Sequence, residues 1–195
     1  MLPLTSIIHR MKYNNLKFLK RFKDVLLLVI VFTATVFSSS LRADMQFLSN
    51  EAFLNENFAQ GAPKPKVLWL SKAEIHEAAQ ILGHEPLSLR QRYWQDGEKT
   101  VWILEEIGKE EPITAGFVIN QSKIAQVRVL TYRESRGWEV RYPSFVKQFV
   151  NAVLNEDKQL NQSIDGISGA TLSVSAMKRM ARLALYFDAL SKNES

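Results

Sequence analysis

The sequence predicts an α+β domain, an antiparallel β-sheet packed against helices, behind an N-terminal leader. Three observations carry this expectation. The middle of the chain holds alternating apolar and polar segments in pairs, each pair joined by a short turn signal. Segments with helical spacing flank those pairs on both sides, and no internal repeat interrupts them. The order of elements, strands grouped together with helices before and after, suits a sheet with helices laid on it and not a βαβ succession.

The elements follow in order. Asp44 to Lys66 is expected to hold a short helix and then a linker, broken at Gly61-Ala62-Pro63-Lys64-Pro65. Lys66 to Leu70 is a brief apolar strand candidate. Ser71-x-x-Glu74 is a capping-box pattern that opens a helix running to about Leu82, with Gly83 as its stop. Leu89 to Trp94 alternates, Asp96-Gly97 signals a hairpin, and Lys99 to Glu106 alternates again. Ile113 to Ile119 and Lys123 to Tyr132 form a second pair around Asn120-Gln121-Ser122. Phe145, Val146, Phe149, Val150 and Val153 have helical spacing, so Ser144 to Val153 is expected to be helical. Leu154 to Ser163 is a polar loop, and Ser175 to Leu190 is the last helix.

Composition removes several function classes. With no cysteine among 195 residues, the chain has no disulfides, thiolate metal sites, iron–sulfur clusters or cysteine nucleophiles. The net charge of +5 belongs to the leader. Removing the 7 of 25 basic and 1 of 20 acidic residues that precede Asp44 leaves 18 against 19. Nucleic acid is therefore not an expected partner. His76 and His84 are separated by the helix stop Gly83 and are read as surface histidines, not a metal pair. Glu105-Glu106 and Glu110-Glu111 are read as a solvated turn. Ser168, Ser173 and Ser175 lack a histidine in useful sequence context, which argues against a hydrolase triad.

Residues 1–43 have the layout of an export signal. Lys17 to Lys23 is basic, Val25 to Phe37 is apolar, and Ser38 to Ser40 lead into Leu41-Arg42-Ala43. The apolar run falls within the roughly 7–15 residues of a signal peptide's apolar stretch. Cleavage after Ala43 is the favoured outcome. Leu41 is bulkier than the small residue usual there, so retention as an inner-membrane anchor, with Val25 to Leu41 as the span, is the alternative. In either case the remainder is expected to be periplasmic or otherwise extracytoplasmic.

The most informative stretch is Asp165-Gly166-Ile167-Ser168-Gly169-Ala170-Thr171-Leu172-Ser173. Two glycines permit unusual backbone angles and a close approach of backbone to a ligand. A helix start follows at once, with unpaired N–H groups and the positive end of the helix dipole, which suits a phosphate. On spacing alone, an ordinary N-capped helix after a Gly-rich turn is the simpler reading. The whole pattern, Asp-Gly-x-Ser-Gly-Ala-Thr-x-Ser, resembles the flavinylation motif of the FMN-binding domain found in Rnf and Nqr electron-transport subunits. In that family the threonine carries FMN through a phosphoester bond. Upstream, Glu134-Ser135-Arg136-Gly137 is similar to the family's Glu-Thr-Pro-Gly-type segment, with Ser135 and Arg136 in place of Thr and Pro. That departure makes the chain look closer to small stand-alone FMN-binding proteins than to subunits of large complexes.

The resemblance, strongest over Ile113 to Leu190, implies an FMN-binding domain over residues 67–195 behind a helix and linker at 44–66. It implies covalent FMN at Thr171, with Asp165, Gly166, Ser168, Gly169, Ala170, Leu172 and Ser173 forming the attachment loop. Glu134, Ser135, Gly137 and Trp138 would form a second wall. Glu134 would bond the flavin or orient the loop, and Trp138 would pack on the ring system unless it is a plain core or rim aromatic. Arg136 would favour the reduced anionic flavin; a solvated face is its simpler reading. The implied role is an electron carrier, the substrate of a flavin transferase that uses FAD and a divalent metal, and not a stand-alone catalyst. Its partners would be a membrane reductase or a periplasmic redox protein. The alternatives are a membrane-anchored subunit of a larger redox complex and a non-redox secreted module of the same fold.

Overall fold

A computed structural model describes residues 45–193; the leader expected over 1–43 lies outside them. The described chain is α+β, as the alternation predicts. Strands β1 (Met45–Gln46), β2 (Lys66–Trp69), β3 (Arg90–Asp96), β4 (Lys99–Ile107), β5 (Pro112–Asn120) and β6 (Lys123–Tyr132) form one sheet. Its order is β1-β6-β5-β4-β3-β2, and every neighbouring pair is antiparallel. The helices are α1 (Asn50–Asn57), α2 (Lys72–Leu82), the four-residue α3 (Pro143–Val146) and α4 (Thr171–Asn193).

Turn chemistry fixes the register. Asp96 pairs with Lys99, so the β3–β4 loop is Gly97-Glu98, with Gly97 at φ +58° in the position a type II′ turn reserves for glycine. Asn120 pairs with Lys123, and Gln121 and Ser122 take φ of 51° and 61°, the pattern of a type I′ turn without glycine. Helix α2 begins with the expected capping box. Glu74 Oε2 accepts from the Ser71 N–H at 2.6 Å, Ser71 Oγ accepts from the Glu74 N–H at 3.4 Å, and Gly83 ends the helix at φ +82°.

Both sheet faces are covered. On one, α4 presents Met177, Met180, Ala181, Ala184 and Phe187 to Trp102, Phe117 and Ile119. Trp102 stacks on Tyr93 at 4.7 Å between ring centroids and tilts against Phe187 at 5.7 Å. On the other, Phe53, Leu54 and Phe58 pack with Val101, Val118 and Leu130. Phe53 lies directly over Gly116, where any Cβ would fall well inside contact distance of its ring.

Two expectations are corrected. Ser144 to Val153 is not one helix: after α3 the chain makes a 3₁₀ turn, Lys147–Phe149, and leaves it extended at Val150. The cause is pairing with β6. Asn151 N–H donates to Ile124 O at 2.8 Å, and Ile124 N–H donates to Ala152 O at 3.0 Å. Those bonds outcompete a further helical turn, while Phe145 and Phe149 still reach the core edge-to-face at 5.5 Å. The last helix starts at Thr171, four residues before the expected Ser175, because the hydroxyl-rich motif is its first turn and not its approach. Strand β1 had no sequence signal; it is two residues paired to Thr131 and Tyr132.

The far end of α4 is locked by a buried carboxylate. Asp188 is 1% exposed; its Oδ1 accepts from Thr100 Oγ1 at 2.6 Å and its Oδ2 from Lys192 Nζ at 2.9 Å. Thr100 Oγ1 in turn accepts from Trp102 Nε1 at 2.9 Å. Asp188→Asn keeps one acceptor but sets an amide N–H₂ or a neutral oxygen against Lys192. It is expected to cost about 1–2 kcal/mol in urea unfolding with an unchanged m-value.

Candidate functional site

The Gly-rich motif forms the entrance to α4. Ala170 N–H donates to Ile167 O at 3.0 Å, closing a turn in which Gly169 takes φ +79°, as the third residue of a type II turn requires. Gly166 has no left-handed angle and open space around it. The first helical bond runs from Val174 N–H to Ala170 O at 2.9 Å. Ala170 therefore stands where a capping side chain would stand, and its methyl group cannot cap. Among the described residues nothing accepts from the N–H groups of Thr171, Leu172 or Ser173. Thr171 is exposed, as are Asp165, Ser168 and Leu172, whereas Ser173 is 4% exposed.

Two glutamines that the sequence reading passed over hold this loop. Gln148 Oε1 accepts from the Asp165 N–H at 2.7 Å. Gln162 Nε2 donates to the carbonyls of Gln148 and Val150. Gln148 lies in a segment read for its apolar spacing and Gln162 in one read as a polar loop, and neither reading assigns a partner to a single side chain.

The segment after β6 meets the motif through Tyr132, a third residue the sequence reading missed. Its hydroxyl donates to Arg136 O and lies 2.9 Å from Ser173 Oγ. Burial pushes this phenol above its ordinary range, and the Ser173 bond offsets part of that. Gly137 sits in the corner so formed, at φ +85°. A Cβ there would come within 2.8 Å of Tyr132 Oη, 3.0 Å of Ser173 Oγ and 3.1 Å of the Ala170 methyl. Gly137 is thus brought against the motif, and Trp138 follows it at 37% exposure. Tyr142 lies edge-on to Trp138 at 5.6 Å, with the Arg141 guanidinium 5.0 Å from the Trp138 ring. Ser135 and Arg136 are exposed.

Glu134 binds the turn between β4 and β5. It is 7% exposed, and its Oε1 accepts from the N–H groups of Lys109, Glu110 at 2.7 Å and Glu111 at 3.0 Å. Burial favours its neutral form, but the three backbone donors outweigh burial and hold its carboxyl below the usual range. Its Oε1 is the clasp of the β4–β5 turn.

The family model described as the FMN-binding domain matches residues 108–186. Over those residues the chain is similar to that family. The matched stretch contains both the Glu134–Trp138 segment and the Asp165–Ser173 motif. No curated protein matches the chain.

The residues of the matched stretch suit the phosphate end of FMN. Three backbone N–H groups without partners among the described residues lie at an uncapped helix start, beside an exposed hydroxyl and a glycine corner too tight for any side chain. Next to this, the Glu105-Glu106 expectation needs correction. Both lie in β4, and Glu106 is 4% exposed, not solvated. Arg179 reaches its Oε1 at 2.8 Å, and His84 Nε2 lies 3.1 Å from both carboxylate oxygens. The other His84 ring nitrogen meets Glu85 O at 2.9 Å. The Glu85 carbonyl first, and then Glu106, raise the His84 pKa above 6.5. This trio closes one side of an apolar cleft of about 850 Å³ lined by Leu82, Leu87, Ile107 and Leu183. Among the described residues no group of three or more His, Asp or Glu side chains is placed to hold a metal.

Proposed function

We propose that this protein is an extracytoplasmic electron carrier whose FMN is joined to Thr171 by a phosphoester bond. The observation that carries the reading is the contrast between two hydroxyls in one helical turn. Ser173 is buried and engaged with Tyr132, while Thr171 is exposed at a helix start whose first three N–H groups have no partner among the described residues. Bound FMN would supply one- and two-electron chemistry. This chain's own part is positional. The N–H groups of Thr171, Leu172 and Ser173 hold phosphate charge, Tyr132 and Gly137 fix that turn, and Trp138 offers an exposed ring beside it.

The helix dipole contributes only about 0.3–1 kcal/mol to phosphate binding, less than a tenfold gain in affinity. A covalent bond retains the cofactor outside the cytoplasm, where a dissociated flavin is diluted away. A transferase using FAD and a divalent metal would attach it. A membrane reductase or a periplasmic redox protein would exchange electrons with it. The leader over residues 1–43 supports the location.

Co-expression with a flavin transferase is expected to give yellow protein that keeps its colour in denaturant and gains the mass of one FMN residue. Thr171→Ala removes all three signs. Covalent flavin persisting in that variant would overturn the assignment. Amino-terminal sequencing of the exported protein separates a carrier cleaved before Asp44 from an anchored subunit.

A further inference from the structure

The exposed large apolar side chains are not scattered. Antiparallel pairing puts the end of β2, the start of β3, the end of β4 and the end of β6 at one end of the sheet, and there β1 starts. Trp69 at 61%, Leu89 at 59% and Ile107 at 44% exposure sit at these strand ends, with Leu87 at 89% in the preceding loop and Met45 opposite Tyr132. Trp138, Tyr142 and Leu172 continue the set along the segments that carry the Thr171 turn. Among the described residues only Val67, within β2, is exposed elsewhere in this class. The opposite end, with the turns at 97–98 and 121–122 and the end of α4, presents Glu98, Lys123 and Lys192 instead. Apolar exposure confined to one end marks an interaction surface.

The chain itself indicates the occupant. Met45 enters the sheet at the apolar end, and the apolar leader run finishes at Phe37, eight residues earlier. Eight residues reach at most about 26–29 Å. Any bilayer that holds the leader therefore lies within reach of this end. The side chains suit a lipid interface, where tryptophan and tyrosine lie at headgroup level with cations beside them. The Arg90 guanidinium lies 5.6 Å from the Trp69 ring, and that of Arg141 lies 5.0 Å from Trp138. Three carboxylates of this end are paired with bases: Glu105 with Arg133, Glu106 with Arg179 and Glu110 with Lys109.

We propose that this end of the domain docks on a lipid bilayer, its apolar rim entering the headgroup layer and holding the Thr171 turn at the membrane face. Docking rests on the alternative in which residues 1–43 are retained as a membrane anchor, and it is independent of whether Thr171 carries flavin.

The cysteine-free sequence makes the test clean, because one introduced cysteine takes one fluorophore. The full chain bearing L87C or Q121C is labelled and reconstituted into phosphatidylcholine–phosphatidylglycerol vesicles containing nitroxide-headgroup lipids. Strong quenching is expected at position 87 and little at position 121. Adding W69E and L89E, both at well-exposed positions, is expected to reduce quenching at 87 to the level at 121 while circular dichroism is unchanged. Equal quenching at the two positions overturns docking. So does quenching at 87 that survives W69E and L89E, since the leader alone then holds the chain at the vesicle. Absence of quenching at 87 also overturns it and leaves a protein as the occupant of this end. The same pattern is expected in a T171A background, so failure here is distinct from failure of the flavin assignment.

Discussion

Gly137→Ala is expected to destabilise the domain by about 2–4 kcal/mol and to abolish flavin loading although it leaves Thr171 in place. Two costs add. At φ +85° an L side chain is strained, by roughly 1–2 kcal/mol. The new methyl would also press on Tyr132 Oη, Ser173 Oγ and the Ala170 methyl at 2.8–3.1 Å. None of these can yield cheaply. The Tyr132 hydroxyl is bonded to Arg136 O and Ser173, and Ala170 is the residue on which the first turn of α4 is built. Relief of the clash displaces the turn that presents Thr171. Thermal unfolding should shift down by roughly 5–15 °C, and mass spectrometry after co-expression with a transferase should find apoprotein. Gly166→Ala is the control: its neighbourhood is open and its φ is not left-handed, so stability should change by no more than about 0.5 kcal/mol. Full loading in Gly137→Ala would show that the turn tolerates displacement and that its geometry does not set the attachment.

The contrast between these glycines also shows what the sequence could convey. A Gly-rich loop before a helix was legible, as were all four long strands and α2, since turn residues, a capping box and alternation act locally. The tertiary partners of those loops were not. Gly137 and Gly166 look alike in a string of letters; the left-handed angle of Gly137 and the approach of Tyr132, Ala170 and Ser173, the last 36 positions away, separate them. Ser144 to Val153 misled for the same reason. Its periodicity is helical, but two bonds to Ile124 decide its backbone. Glu106 misled through its neighbour: in a β-strand adjacent residues face opposite sides, so Glu105 meets solvent while Glu106 turns toward Arg179 and His84. Tyr132 could have drawn notice as the one phenol in the apolar run of β6, placed where the strand hands over to the Glu134 segment.

Glu134 offers the sharpest separation of charge from packing. Glu134→Ala removes the acceptor of three backbone N–H groups at the β4–β5 turn and should cost about 2–4 kcal/mol. Glu134→Gln keeps an oxygen there and loses the charge, so about 1–2 kcal/mol is expected at pH 7. The pH dependence has a definite sign. The folded carboxyl is held below 4.5, so its stabilisation is present in full above that pH and is lost as pH falls through the folded value. Urea midpoints of the wild type and Glu134→Gln should therefore differ at pH 7 and converge as the pH drops below 4.5. A gap that stays constant down to pH 3 would assign the effect to shape and not to charge. The site should feel the same change. Glu134 ties the 108–111 turn to the segment that ends in Gly137, and Gly137 abuts the first turn of α4. Loosening that clasp leaves Thr171 chemically intact but its turn unsupported from one side. Flavin loading in Glu134→Ala should fall below that in Glu134→Gln, in the same order as their stabilities. A carboxylate needed for direct contact with flavin would instead leave both variants equally unloaded.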